Sequence, residues 1–340
     1  MYAERLDKLL EVASQSERVL ILTHNDPDPD AIGSAVALRH LLTTSLDAQV
    51  EIAYRGIIGR AENKALVRYL NHPLVQFSRT LLARPVAVAL VDTQPGAGNG
   101  PLRQHVEVAM VIDHHPLRPE TSSARFFDVR SDVGATSTIL TKYLQVAGTD
   151  LPVSIATALF YGIKSDTMGL GRSGFLDDTE AYSFLVPRID SRALYEIEQA
   201  QVPGEYFQSL VDTLQATRIY RDVLIAYIGW MRYPDLAAEI ADWLLRLKGI
   251  QWVICLGAHK DQLNIAVRNR RQYGGAGLLA QAMINDLGTA GGHGNSAGGQ
   301  VRLNGRDPEI LARQLIQAVL AFFDISPDET SRSLLIEGDQ

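Results

Sequence analysis

The chain has 340 residues, 46% hydrophobic and 21% charged, with a formal net charge of −7 at pH 7. That length favours two domains over one, and the composition is that of a globular protein able to fill two cores. The acidic balance lacks the general positive field needed to grip long nucleic acid, but local cations can still hold a short anionic substrate.

In chain order, Met1-Tyr2-Ala3-Glu4-Arg5-Leu6-Asp7-Lys8 reads as a charged amphipathic helix and not as a signal peptide. Residues 19–23 are a short apolar β-rich run and residues 30–46 carry a helical period. Residues 50–54 read as a second strand and residues 61–70 as a helix. Residues 86–91 and 106–112 are near-continuous apolar runs, as central strands buried on both faces require. Strands alternating with helices imply an α/β domain, a mostly parallel sheet with helices on both faces.

From Ser131 the pattern turns helical. One helix is expected over 133–146 and another over 152–164, opened by a proline, with Asp166 just beyond it. Helices continue over 177–216, broken at Pro187 and Pro203-Gly204. We therefore expect a first domain over 1–186, a helical linker over 187–218 and a smaller α/β domain over 219–330. In that domain the expected strands are 223–228, 251–256, 262–267 and 300–303, with helices over 234–247, 278–285 and 308–323 and a glycine-rich loop over 291–299. Residues 331–340 are polar and read as a loose tail. Cys255, the one cysteine, lies in an apolar run and reads as an inert core thiol. No apolar run approaches the roughly 18–20 residues that span a bilayer. A cytoplasmic protein without a membrane partner is expected.

The chemistry sits at the ends of the expected strands. His24-Asn25-Asp26-Pro27-Asp28-Pro29-Asp30 follows the first, Asp92 follows the run at 86–91, and Asp113-His114-His115 follows the run at 106–112. Ligands of open α/β sheets bind at the carboxyl ends of strands. Asp28 and Asp30, two apart in an extended loop, can address one centre, and His24 precedes Asp28 by four positions. Carboxylates mixed with imidazoles suit Mn²⁺. Two such ions can share a bridging carboxylate while activating water for in-line attack on phosphorus, and Asp92 is the natural bridge. Asp113-His114-His115 offers one imidazole to a metal and one to a substrate, with Asp113 orienting a histidine. Taken alone, Asp26 to Asp30 reads equally well as a solvated turn with Asp30 as an N-cap. It is the joint occurrence at element ends that favours a site.

These residues carry a resemblance. His24-x-x-Pro27-Asp28-x-Asp30-x-x-Gly33-Ser34, Val91-Asp92-Thr93, Asp113-His114-His115 and Asp166 together resemble the four motifs of the DHH phosphoesterase superfamily. Gly291-Gly292-His293-Gly294 with Ala297-Gly298 resembles the DHHA1 substrate-binding domain that accompanies it. By size and domain content the chain is similar to the bacterial oligoribonucleases (nanoRNases) that also dephosphorylate 3′-phosphoadenosine 5′-phosphate.

The resemblance implies two Mn²⁺ per chain, one held by His24, Asp28 and Asp92 and the other by Asp30, Asp92, His114 and Asp166. It implies that His115 contacts the scissile phosphate and protonates the leaving oxygen, with Asp113 in support. It places Arg268 and the Gly291-Gly292-His293-Gly294 run on the substrate, across an active site in the cleft between the domains. Gly33 and Ser34 are expected to serve packing. The implied substrates are short RNA oligonucleotides or phosphorylated nucleotides, not long duplexes, and a homodimer is compatible. The chain departs from the family pattern at Thr167-Met168-Gly169-Leu170-Gly171-Arg172, which leaves Arg172 without an assigned role, and mildly at Asn295-Ser296.

Before any resemblance, Arg268-Asn269-Arg270-Arg271 is the densest basic cluster of an acidic chain; taken alone it reads as a solvated strand end, and with the glycine-rich loop nearby in the fold Arg268 reads as a forked clamp on a terminal phosphate. Three other readings keep or drop the site: a cyclic dinucleotide phosphodiesterase or a pyrophosphatase or polyphosphatase, a RecJ-type single-strand exonuclease, and a non-catalytic nucleotide-binding module. The second lacks an evident aromatic platform, and the third would need a broken ligand set.

Overall fold

The computed structural model describes residues 2–102, 106–171, 175–270, 274–326 and 328–335, without the His293 side chain. Arg172, Arg271 and residues 336–340 of the expected tail lie outside the described residues. The chain divides into two compact units, Met1–Ala200 and Gln201–Gln340.

The first unit begins with α1 (Tyr2–Ser14), whose buried Leu6, Leu9, Val12 and Ala13 recur at helical spacing. Then come β1 (Arg18–Leu22), α2 (Pro29–Leu46), β2 (Gln49–Tyr54), α3 (Ala61–Tyr69), β3 (Leu74–Gln76), β4 (Ala87–Val91), β5 (Met110–Asp113) and β6 (Phe126–Val129). Four helices close the unit: α4 (Thr136–Ala147), α5 (Val153–Thr167), α6 (Leu176–Leu185) and α7 (Ser191–Glu198). Asp28 caps α2, accepting from Ala31 N at 3.0 Å, and Pro29 opens the first turn. The expected N-cap, Asp30, is thereby released for another use. The helix over 152–164 runs on to Thr167, so Asp166 lies in its last turn and not beyond it.

The six strands are all parallel, in the order β3-β2-β1-β4-β5-β6. The chain enters the sheet at its middle, winds outward through β2 and β3, then returns to β1 and winds the other way. Between β1 and β4 the direction reverses, which opens a crevice at their carboxyl ends. Strand residues alternate between two cores. Val19, Ile21, Ile52, Ala89 and Ile112 face the helices, while Leu20, Leu22, Val88, Leu90 and Val111 face the other way.

Helices were expected on both faces of this sheet; the α-helices pack on one, and the other is covered by Leu81 and Leu82 of the short 3-10 helix Arg79–Leu82 together with Phe77, Leu102 and Ala124. Right-handed crossovers in the returning half of the sheet fall on that opposite face. The links there contain Pro95, Gly96, Gly98, Gly100, Pro101 and Pro116, which do not favour an α-helix, and Pro119 opens the short 3-10 helix Pro119–Ser123. Strand β5 starts at Met110, four residues later than the apolar run at 106.

The second unit comprises α8 (Gly204–Ala216), β7 (Arg218–Tyr220), β8 (Val223–Trp230), α9 (Leu236–Leu244), β9 (Trp252–His259), β10 (Gln262–Asn269), α10 (Ala276–Ile284), β11 (Gly288–His293), β12 (Ser296–Arg302), α11 (Pro308–Phe322) and β13 (Arg332–Ser333). Its sheet runs β11-β12-β10-β9-β8-β7-β13, antiparallel except for the β8–β9 pair. Ile254, Leu256 and Ile265 pack towards α10 and α11, while Val253, Cys255 and Ala266 pack towards α8 and α9. The expected glycine-rich loop is a correction: residues 288–302 form a hairpin in which Gly291 pairs with Gly298 and Gly292 with Ala297. Glycine is depleted in strands, which hid it. Here it is needed, because a Cβ on Gly292 would lie 2.5 Å from Ser296 O. Among the described residues no helix is long and apolar enough to cross a membrane.

Candidate metal centre

The crevice between β1 and β4 collects the charged residues of the first unit. His24 leaves the end of β1, Asp92 the end of β4, and Asp113 closes β5. Asp92 sits in the left-handed region at φ 58, an uncommon state for a residue other than glycine, with its N–H donated to Ile112 O at 3.0 Å. That turn points its carboxylate into the crevice, where it is 1% exposed.

The two oxygens of Asp92 face different partners. Oδ2 lies 3.4 Å from His24 Nε2, which lies 3.6 Å from Asp28 Oδ1. Oδ1 lies 3.5 Å from His114 Nε2, which lies 3.3 Å from Asp166 Oδ2. These spacings are long for good hydrogen bonds and short enough for both atoms of each pair to touch one ion. Three groups have ligand atoms within 4.8 Å of one another: His24, Asp28 and Asp92; Asp30, His114 and Asp166; and Asp92, His114 and His115, which joins the other two. The structure brings together all six residues expected to hold metal. His24 Nδ1 lies 2.7 Å from Asn25 O, so Nδ1 carries a proton and Nε2 is the ring atom turned to the carboxylates.

Asp30 is gripped by the start of α4. Thr136 N donates to Oδ2 and Ser137 N to Oδ1, each at 2.7 Å, while Thr136 Oγ1 donates to Asp92 Oδ1 at 2.9 Å. A helix N-terminus is a natural place for an anion. Close packing makes this possible: a Cβ on Gly162 of α5 would meet Ser137 Oγ at 2.4 Å and Asp30 Cα at 3.0 Å, and one on Gly33 would meet Ala158 O at 2.7 Å. Ser34 Oγ also reaches Asp30 Oδ1, at 3.3 Å. Thr136, Ser137 and Gly162 escaped the reading from sequence. The one available signal was the pair of hydroxyl residues at the start of an expected helix.

His115 stands beside this cluster with its side chain 41% exposed. Its Nδ1 lies 2.8 Å from Asp113 Oδ1, which also accepts from His114 N at 2.8 Å. Gln94, also missed, is 4% exposed and fixes Asp113 from behind, donating from Nε2 to Oδ2 at 2.7 Å. Its own Oε1 accepts from Arg118 N and Thr121 Oγ1.

Burying four carboxylates together shifts their proton affinities. Burial, reinforced by the charge of Asp92, raises Asp30 to about 7. Burial raises Asp166 to about 6, with Asp28 and Asp30 adding to it. Asp92 is raised by burial and by Asp28. Burial would raise Asp28 as well, but His24 and the Ala31 N–H hold it below the usual range. For His24 and His114 burial opposes charging, yet Asp28 and Asp92 around the first and Asp166 and Asp92 around the second push both well above 6.5. His115 is raised by Asp113 against its burial. The cluster therefore retains protons that bound dications would replace, and its mixed oxygen and nitrogen donors suit Mn²⁺.

The remaining expected residues belong to the second unit. Arg268 Nε donates to Asp242 Oδ1 at 2.6 Å and Nη1 to Val267 O at 3.1 Å. Register places Arg268 opposite Ser296 and Ser296 opposite His293, so the three share one row of the sheet. Gly291 and Gly292 lie on β11, and Gly294 turns the hairpin at φ 57. The His293 side chain is outside the described residues.

Residues 18–163 match the DHH family, N-terminal domain. An uncharacterized protein of Methanocaldococcus jannaschii is 32% identical over 308 residues, 89% of this chain and 63% of that protein. A probable manganese-dependent inorganic pyrophosphatase of Brevibacillus brevis is 33% identical over 153 residues, 45% of this chain and 48% of that protein. The chain thus spans less than two thirds of the archaeal relative and about half of the pyrophosphatase. A crystal structure of an exopolyphosphatase-related protein from Bacteroides fragilis superposes with a TM-score of 0.72 at 17% identity, covering 94% of this chain and 96% of that one. At that identity the likeness is one of fold.

Proposed function

We propose that this chain, whose residues 18–163 match the DHH family, N-terminal domain, is a two-Mn²⁺ phosphohydrolase of RNA a few nucleotides long, with 3′-phosphoadenosine 5′-phosphate as a second substrate. One observation carries the reading: the two oxygens of the buried Asp92 are divided between two separate ligand groups. His24, Asp28 and Asp92 Oδ2 would hold one ion, and Asp30, His114, Asp166 and Asp92 Oδ1 the other. When bound, the pair would neutralise charge on the phosphoryl oxygens and acidify an attacking water.

The chain's own residues supply the rest. Asp113 accepts from Nδ1 of His115 and favours its charged ring, which leaves Nε2 to give a proton to the departing oxygen. Gln94 holds Asp113 in register for that task. In this reading Arg268 exchanges Asp242 for a substrate phosphate, and Gly291, Gly292, His293 and Gly294 offer backbone and imidazole donors to it. The acidic chain favours short substrates.

A second reading has its own support in the likeness to probable manganese-dependent pyrophosphatases. The same ligand set could cleave a P–O–P anhydride. A turnover panel with Mn²⁺ separates the two, comparing RNA of two, five and twenty-four nucleotides, 3′-phosphoadenosine 5′-phosphate, a cyclic dinucleotide and pyrophosphate. Fast cleavage of the dinucleotide with little on the 24-mer is expected. Pyrophosphate as the best substrate would replace the first reading by the second.

A further inference from the structure

Asp178 lies in the first turn of α6, is 0% exposed and belongs to none of the expected motifs. A buried carboxylate is costly unless its hydrogen bonds compensate. Its two bonds are short: Oδ2 accepts from Gly134 N at 2.8 Å and Oδ1 from Thr138 Oγ1 at 2.6 Å. Gly134 and Thr138 bracket Thr136 and Ser137, whose three donors reach Asp30 and Asp92. One buried carboxylate thus pins both ends of the turn that aims two others. Further along α4, Thr141 Oγ1 donates to Ser137 O and Tyr143 to Asp128, while Lys142 pairs with Asp177 and Glu180 of α6, so Asp178 ties α6 to the turn and Lys142 ties it to the helix beyond.

We propose that Asp178 is a positioning residue that sets the affinity of the second metal group, Asp30, His114 and Asp166, by fixing the Gly134–Thr138 turn. This rests on the two-ion reading of the centre. Two of the turn's three bonds end on Asp30, so the group of His24, Asp28 and Asp92 depends on it less. Removing a direct outer partner of a ligand weakens metal binding by about 10–100-fold, and Asp178, acting through the turn one step further out, is expected at the low end of that range.

The test is a Mn²⁺ titration of the full chain, read calorimetrically and by the resonance signal of free Mn²⁺, alongside thermal melting. Wild type should bind two ions. Asp178→Ala should weaken one of the two by about tenfold or more and spare the other. Asp178→Asn should restore it, because the amide can still accept from Gly134 N while donating to the Thr138 hydroxyl. If Asp178→Ala does not fold, Thr138→Val removes one of the two bonds at nearly constant volume and should give a smaller loss of the same kind. Two unchanged affinities beside a lowered melting temperature would overturn the proposal and leave Asp178 a packing residue. Failure of wild type to bind two ions would instead overturn the reading on which it rests.

Discussion

In the first unit four carboxylates gather around two imidazoles at the ends of parallel strands. In the second, Arg268 at the end of β10 lies against a carboxylate of its own unit, Asp242. The first arrangement is incomplete by itself, since its charges repel and lift each other's proton affinities. The second is already satisfied and can act only by exchanging partners. A site that needs cations to be stable is suited to chemistry on phosphate, and a site that must release an ion pair to bind is suited to selecting substrate. Breaking either should therefore fail differently, the first in turnover and the second in KM.

The largest effect is expected at the bridge. Asp92→Ala removes the one residue common to both ligand groups and should lower kcat by more than about 10³-fold, several kcal/mol of transition-state stabilisation at 1.36 kcal/mol per tenfold. Near-normal turnover in that variant would sink the two-ion assignment. Chelation should abolish activity to the same extent. Mn²⁺ should restore it better than Mg²⁺, because imidazole nitrogen suits Mn²⁺ more. Assays after chelator removal, with each ion added back, check this.

In the second unit Arg268→Ala should raise KM by roughly 10–100-fold, the range for losing hydrogen bonds to a charged group at about 1.5–3 kcal/mol. If Arg268 holds ground and transition states alike, kcat stays near wild type. A fall in kcat alone would move Arg268 from selection to chemistry and erase the contrast between the units.

Much of this contrast is legible in the sequence because the metal ligands sit at strand ends, where a short polar motif follows an apolar run. Those signals are local: His24 to Asp30, Asp92 and Asp113 to His115 each lie within a few residues of a strand. What holds the ligands is not local. Thr136 and Ser137 reach Asp30 and Asp92 across 40 or more positions, Gly162 packs against Asp30, and Asp178 holds the Gly134–Thr138 turn from as far away, through helix packing that no period records. The strand β3 escaped for a different reason, since only three residues of an edge are involved and Val75 is 47% exposed. The glycine hairpin escaped because its strands are selected for close backbone approach and not for β-propensity.

The metal-free centre should also betray itself through pH. Asp30 and Asp166, raised to about 7 and about 6, bind protons in the folded chain that they would lose when unfolded above about 4. Their contribution to stability is present below that pH and is lost as pH rises towards 7. Asp28 and Asp113, held low, act in the opposite sense but below about pH 4, outside that window. Melting of the chelated chain should therefore fall between pH 5 and pH 7, at roughly 2–4 °C per kcal/mol lost for a unit of this size. Saturating Mn²⁺ should reverse the slope, because the ions bind the ionised carboxylates. A metal-free chain that grows more stable over this interval would mean that the carboxylates are not crowded in solution.

The smallest effect is the most specific to the second unit. Asp242→Asn keeps an oxygen for Arg268 Nε but removes the charge it answers. If Arg268 leaves Asp242 to bind phosphate, that step becomes easier, and KM should fall by a few-fold, the equivalent of at most about 1 kcal/mol for a pair that is partly exposed. The change should vanish in the background of Arg268→Ala, where there is no guanidinium to release, and a double-mutant cycle reads that directly. A rise in KM would carry the opposite meaning: Asp242 would then be aiming Arg268 at the phosphate and not competing with it. Both units would in that case use a carboxylate to position a partner, as Asp113 does for His115.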